Sequence, residues 1–374
     1  MLERIIAPGH YRRGAGAIEA AVPEIQALGT RACLVGGHRA LAAASPDLEE
    51  ALAAAGIEIV AKTWYGGECC PENIAAVAAT VKETGADFLV GVGGGKALDT
   101  SKGAAWQAGV PLVAVPTIAA TCAAFTSIAI IYDRQGHFLE ISHHAVNPAL
   151  VLVDSRIIAA APGRYLAAGM GDTLAKYIEL RATSMAAASH LALAGALTLA
   201  HLCYDSILAA GPEARAAVED RAVTPALEKV IDAVILISGL VSGLGGDDGR
   251  TAGAHGVYEG LTASPLTRGY CHGELVAFGN LVQLVLEGKD AGEIRQLAAF
   301  NRRVGLPVTL EQVGLSPTDG PSLDLVSQAA AGSPDMANMP FPVSAAIIRA
   351  ALLAADHSGR ELQEYITQGG NQRG

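Results

Sequence analysis

A chain of 374 residues, 51% hydrophobic and only 17% charged, is globular rather than disordered and long enough for two domains of about 100 to 200 residues each. Its 26 basic residues against 37 acidic ones give a net charge of -11, a surface that repels nucleic-acid phosphates and anionic lipid, so neither nucleic acid nor membrane is expected as a partner. The opening MLERIIAPGHYRRG lacks the apolar core of a signal peptide and no membrane span is expected, so the protein is placed in the cytoplasm and its six cysteines are read as free thiols.

Short aliphatic runs alternate with helical patterns through the first part of the chain: RACLVGG, DLEEALAAAG, IEIVAKTW, PENIAAVAATVKETG and DFLVGVGGG. Strand and helix in this succession predict a parallel sheet with crossover helices, which VPLVAVPT and PALVLVD extend. Between those two runs, SIAIIYDRQGHFLEI has an apolar arm on each side of a turn signal and predicts a β-hairpin. After Asp154 the pattern changes to long helical segments. The expected division is an α/β domain over 1–161 and an all-helical domain over 162–374. GGDDG at 245–249 and GLSPTDGPS at 314–322 read as loops, and His143 and His144 as solvated loop residues.

The run DFLVGVGGGKALDTSK ends a strand in Gly93, Gly94 and Gly95 and then starts a helix. Such a turn lets backbone approach a ligand closely and points free N–H groups and a positive dipole end at an anion, as a pyrophosphate would need. It matches neither G-x-G-x-x-G nor the Walker pattern, and a plain strand-to-helix turn is the alternative.

Farther on, Asp172 lies in AAGMGDTLAKYIE, His255 in TAGAHGVYEG and His272 in YCHGELVAFG, the two histidines 17 residues apart. One carboxylate and two imidazoles can hold a zinc or ferrous ion with a position left open for substrate. Each also has an ordinary role open to it: Asp172 as a helix cap, the histidines as hydrogen-bonded core residues.

Taken together, RIIAPGHYRRGAG, YGGEC, GVGGGKALDTSKGAA, VPTIAATCAAFTS, NPALVLVD, LAAGMGDTLAKYIE, VTPALEKVI, GAHGVYEGLT and CHGELVAFG resemble the glycerol dehydrogenase branch of the iron-containing alcohol dehydrogenase superfamily, which also includes dehydroquinate synthase. The resemblance spans nearly the whole chain. It implies a dehydroquinate synthase-like fold, with a Rossmann-like α/β domain followed by a helical one, and an NAD(P)-linked, metal-dependent oxidoreductase. It further implies that Gly93, Gly94, Gly95, Lys96 and Asp99 bind the cofactor pyrophosphate. Thr117, Thr126, Ile128 and Tyr132 would line its nicotinamide side, and Asp172, His255 and His272 would hold one divalent ion, Zn2+ or Fe2+, through which they take part in catalysis. Relatives form dimers or larger rings, so a homo-oligomer, dimer or octamer, is expected.

Two positions depart from the family pattern. Glycerol dehydrogenases carry an aspartate after the T-I-A-x-T run, where this chain has Cys122. A thiol accepts poorly from a substrate hydroxyl and repels an anion less than a carboxylate does. With Phe125 beside it, Cys122 is assigned to the substrate, and TIAATCAA is similar to a branch of hydroxycarboxylate dehydrogenases. The preferred substrate is therefore a 2-hydroxy acid or its 2-oxo partner; glycerol or another 1,2-diol is the alternative, followed by a dehydroquinate synthase-like lyase or cyclase and a silent nucleotide-binding relative.

The second departure is Gly37, where NAD-specific relatives place an acid on the adenosine ribose. With that carboxylate gone and His38 and Arg39 adjacent, a 2′-phosphate is no longer repelled, which admits NADP(H).

Overall fold

Alternation along the aliphatic runs decides which side chains face which helices. In the strand over residues 31–36, Ala32 and Leu34 join one buried cluster and Cys33 and Val35 another, and the same split recurs at Phe88, Val90 and Val92 against Leu89. A period of two puts successive side chains on opposite faces, so strands buried on both sides read as continuous apolar runs. The computed structural model describes residues 7–184, 191–246 and 251–370. The chain forms two compact units: one runs to Pro162 and takes up Ala216–Gly243, and the other holds Gly163–Arg215 and the chain from Leu244 onward.

The first unit is built from β1 (His10–Gly14), α1 (Ala17–Ala20), α2 (Val22–Gln26), β2 (Arg31–Gly36), α3 (His38–Ala54), β3 (Glu58–Trp64), α4 (Pro71–Thr84), β4 (Phe88–Gly93), α5 (Gly95–Ala108), β5 (Leu112–Pro116), β6 (Ile128–Tyr132), β7 (Phe138–His143), β8 (Leu150–Asp154) and α6 (Ser155–Ala160). Six strands form a parallel sheet in the order β1-β8-β5-β4-β2-β3. β2 leads through α3 to β3 on one side, while its neighbour β4 leads through α5 to β5 on the other. The connections therefore diverge between β2 and β4, the switch point where doubly wound sheets open a crevice at their carboxyl ends. Both strands end there in glycine, Gly36 and Gly93.

β6 and β7 pair antiparallel as the expected hairpin. β1, HYRRG, is a strand that periodicity does not announce, because it is a polar edge strand paired only with β8. His144 corrects the sequence reading: it is buried and packs on the Trp106 ring at 6.0 Å. Burial and then the Lys102 charge push its imidazole pKa down.

The remaining helices are α7 (Gly163–Ser184), α8 (Leu191–Glu219), α9 (Pro225–Ile231), a π-helical turn over Asp232–Ile237, α10 (Ser238–Gly245), α11 (Gly253–Thr262), α12 (His272–Leu286), α13 (Ala291–Val304), α14 (Gly320–Ala331) and α15 (Ala345–Gly370). Residues 216–243 differ from the sequence expectation, since they return to the first unit. Arg13 of β1 pairs with Glu228 at 2.8 Å and Asp232 at 2.6 Å, and the Tyr11 hydroxyl donates to Asp232. The stretch 314–322 is loop only as far as Asp319, which caps α14 by accepting from the Ser322 N–H. Most of GGDDG lies outside the described residues.

One further correction concerns α8. Residues 182–204 contain no Asp, Glu, Lys or Arg, and by length and composition α8 is long and apolar enough to cross a membrane. Ala196, Ala200, Cys203, Ile207 and Ala214 are buried at helical spacing along one side of it, while Leu191 and Leu202 are exposed.

Candidate metal centre and cofactor cradle

In the second unit, three helices converge on one point. Asp172 comes from α7, His255 from the first turn of α11 and His272 from the first position of α12, and their ligand atoms all lie within 4.8 Å of one another. Asp172 Oδ1 is 3.2 Å from His272 Nε2 and 3.5 Å from His255 Nε2. Asp172 and His255 are buried, while the His272 side chain is 35% exposed.

Small residues make this approach possible. Gly171 of α7 and Gly273 of α12 sit beside two of the three residues, and a Cβ on Gly171 would lie 2.5 Å from the Gly273 carbonyl oxygen. Polar side chains then fix the helices. Asn280 Nδ2 donates to the Gly171 carbonyl at 2.9 Å, and Gln283 Oε1 accepts from the Ala254 N–H at 2.7 Å. The start of α12 is held by Glu274, which accepts from the Cys271 N–H at 2.7 Å and pairs with Arg164 at 2.7 Å.

The electrostatics suit a cation. Burial alone would raise the Asp172 pKa, but hydrogen bonds from His255 and His272, with the Lys176 charge, hold it well below the usual carboxylate range. Burial would likewise depress His255, yet the Glu179 charge and contacts with Asp172 raise it to about 10. An oxygen and two imidazole nitrogens, close together and backed by a buried carboxylate, are a donor set that fits Zn2+ or Fe2+.

In the first unit, the glycine turn is bare of side chains. Gly93 has φ +152, a conformation that L side chains rarely adopt, and a Cβ on Gly94 would lie 2.7 Å from Ile118 Cδ1. Gly94 caps α5 without a side-chain hydrogen bond, so the first amides of α5 are available to a phosphate. Thr117 is buried beside the turn, its N–H donating to the Gly93 carbonyl at 3.1 Å. Across the switch point, Gly37 caps α3, also with no side-chain bond. Next to it the exposed Trp64 stacks on His38 at 5.7 Å.

Other cofactor candidates are engaged within the protein. Lys96 pairs with Glu68 at 2.5 Å and lies over the Tyr132 ring at 5.6 Å. Asp99 is buried: one oxygen is 2.7 Å from Lys102 Nζ and the other accepts from the Ile130 N–H at 3.0 Å. The same Lys102 donates to the carbonyls of Ala123 and Ile128. Asp99 thus ties α5 to β6. The Thr126 N–H bonds the Cys122 carbonyl at 3.3 Å, a turn within the segment, and the Tyr132 N–H bonds the Cys69 carbonyl at 2.8 Å.

Cys122 is buried, with its Sγ 3.8 Å from Ser242 Oγ. Phe125 fills the space above Gly239, where a Cβ would collide with its ring. The buried Ser238 hydroxyl has no hydrogen-bond partner. Sequence reading missed Ser238, Ser242 and Glu179. For Glu179 a signal existed, since Asp172 and Glu179 are seven positions apart and so share one face of a helix.

An α/β sheet with a glycine turn at its switch point and, in the same chain, a helical unit with an Asp-His-His cluster are the parts of a metal-dependent oxidoreductase acting on alcohols, and the relatives of the chain show that class. The family model described as iron-containing alcohol dehydrogenase matches residues 8–155. A glycerol dehydrogenase of Escherichia coli O6:H1 is 40% identical over 371 residues, 97% of this chain and 100% of its own length. Hydroxycarboxylate dehydrogenase A of Escherichia coli K12 is 37% identical over 302 residues, 79% of this chain and 81% of its own. A crystal structure of a probable glycerol dehydrogenase from Sinorhizobium meliloti superposes with a TM-score of 0.83 at 34% identity, covering 96% of this chain and 100% of that one. The chain belongs to the iron-containing alcohol dehydrogenase family, in its glycerol dehydrogenase branch, and has the dehydroquinate synthase-like fold expected from its sequence.

Proposed function

We propose that the protein oxidises glycerol or a related small 1,2-diol with NAD or NADP, and reduces the corresponding carbonyl compound, using a divalent ion held by Asp172, His255 and His272. The observation that carries this reading is the meeting of those three side chains within 4.8 Å. The 40% identity to a glycerol dehydrogenase over nearly the full length supports the diol and reverses the order of substrates expected from Cys122 alone.

When bound, the ion supplies Lewis acidity to a substrate hydroxyl and the nicotinamide takes up the hydride. The protein's own residues supply position and field. Asp172 offers a carboxylate oxygen that stays ionised at neutral pH, and His255 and His272 offer imidazole nitrogens. Gly93, Gly94 and Gly95 give the pyrophosphate backbone amides in place of side chains, with Thr117 beside them. Lys96 and Asp99 support the cradle through Glu68 and β6.

A second reading, a 2-hydroxy acid as substrate, is favoured by one observation: Cys122 faces a neutral hydroxyl, Ser242, so no carboxylate there repels an anion. Gly37 with the adjoining His38 and Arg39 supports acceptance of NADP(H). A homo-oligomer, dimer or octamer, completes the proposal. The test is a matched set of initial rates with glycerol, 1,2-propanediol and 2-hydroxybutyrate against NAD and NADP, and with 2-oxobutyrate against the reduced cofactors. Efficient glycerol turnover with slow hydroxy-acid turnover supports the diol; the reverse supports the second reading.

A further inference from the structure

Among the described residues, the Glu179 carboxylate is a fully enclosed charged group that no step above uses. It lies on α7 with no exposed surface, and all its partners are at the start of α11. It accepts from the Ala252 N–H at 2.8 Å and the His255 N–H at 2.9 Å, and its other oxygen is 2.7 Å from Nδ1 of the His255 ring. A buried carboxylate is costly unless fully paired, and this one is paired entirely by one partner helix. Ala252 contributes no side-chain cap to α11, so Glu179 caps α11 from another helix while it grips the ring of that helix's histidine.

We propose that Glu179 is a positioning residue for the metal centre: by accepting from Nδ1 it holds His255 in the tautomer whose Nε2 lone pair faces the ion. The inference rests on the reading that Asp172, His255 and His272 bind the metal. An ionised carboxylate accepts only, so Nδ1 carries a hydrogen, and in the neutral ring that a bound ion requires the lone pair lies on Nε2, on the Asp172 side. Outer carboxylates of this kind orient ligating histidines and raise their basicity.

The two histidines are supported unequally. His255 is buried and clamped by Glu179, whereas His272 is a third exposed and meets the Tyr258 ring edge to face at 4.3 Å. Glu179 therefore governs how tightly the ion is held through the rigid side of the site.

The experiment compares zinc affinity of the intact wild-type protein and Glu179→Gln by competition with a chromogenic chelator. It adds the visible spectrum of each loaded with Co2+ and the nitrogen resonances of His255 in zinc-loaded wild type. The expected result is an affinity about 10- to 100-fold weaker in Glu179→Gln, an altered cobalt spectrum, and a wild-type His255 with Nδ1 protonated and Nε2 on the metal. Affinity within twofold of wild type, or a wild-type His255 bound through Nδ1, overturns the proposal. Should Glu179→Gln fail to fold, the wild-type resonances decide alone. Wild-type protein that takes up no stoichiometric zinc would instead defeat the metal reading itself.

Discussion

Gly171 and Gly273 bring two helices into backbone contact: a Cβ on Gly171 would lie 2.5 Å from the Gly273 carbonyl oxygen, and one on Gly273 would collide with the Ala168 carbonyl. Asp172 and His272 are their chain neighbours. The separation of the α7 and α12 backbones therefore sets the distance between these two candidate ligands.

Gly273→Ala must push α12 away from a rigid carbonyl. It is expected to destabilise the fold by about 1–3 kcal/mol, the usual cost of overpacking, and to weaken zinc binding. Thermal unfolding and metal content after dialysis check both. Gly195→Ala is the control, since a Cβ there meets only Leu244 Cδ1 at 3.9 Å, and it should leave stability unchanged or raise it by about 0.5–1 kcal/mol.

Metal uptake should be linked to pH. In the metal-free protein His255 titrates at about 10 and is protonated at neutral pH, whereas a ligating imidazole is neutral, so binding releases about one proton. Affinity should rise roughly tenfold per pH unit towards alkaline pH until about 10. Calorimetry in buffers of different ionisation enthalpy counts the proton. The raised pKa also stabilises the metal-free fold. That contribution is complete below the unfolded value of 6.5 and is lost as pH rises through about 10, so the unfolding temperature of the metal-free protein should fall across that window.

Substrate choice should follow Cys122 and Ser242. Cys122→Asp adds a charged acceptor, expected to raise kcat/KM for glycerol about tenfold, the scale of one charge-assisted hydrogen bond, and to depress turnover of 2-hydroxy acids by repulsion. Ser242→Ala should shift the two substrate classes by less. Initial rates on both classes make the comparison, and equal ratios in all three proteins would remove this pair from specificity.

Gly93→Ala places a side chain at φ +152 with its Cβ 2.8 Å from that of Ala97. A cost of about 1–3 kcal/mol for such backbone strain should appear mainly as weaker nucleotide binding. Gly37→Asp should shift preference from NADP towards NAD by restoring an acceptor for a ribose hydroxyl. Cofactor titration by nicotinamide fluorescence measures both.

Much of this was legible in the residues. β2, β4, β5 and β8 announce themselves because strands buried on both faces must be apolar throughout, the edge strand β3 through the run IEIVAKTW between two helical patterns, and the hairpin because Asp133 to Gly136 interrupts two apolar arms. β1 was hidden, since Tyr11 and Arg13 serve contacts with Asp232 that only the fold reveals. The return of 216–243 was hidden for the same reason. The three candidate ligands were found through motif resemblance, as helices bring together residues that spacing keeps apart. Glu179 escaped although its seven-residue spacing from Asp172 puts both on one helix face, because its partner, the start of α11, appears only in the fold. Cys122 alone pointed to a 2-hydroxy acid, whereas 40% identity along nearly the whole chain to a glycerol dehydrogenase supports the diol.

On the proposed function, Asp172, His255 and His272 hold the ion on which alcohol oxidation depends. Its most direct test is glycerol oxidation, followed by nicotinamide absorbance, in protein stripped of metal and then given one equivalent of Zn2+ or Fe2+, with Asp172→Asn run in parallel. Activity should be lost on stripping, recover at one equivalent in wild type and not recover in a folded Asp172→Asn. Full activity in the stripped protein, or full recovery in Asp172→Asn, would contradict it.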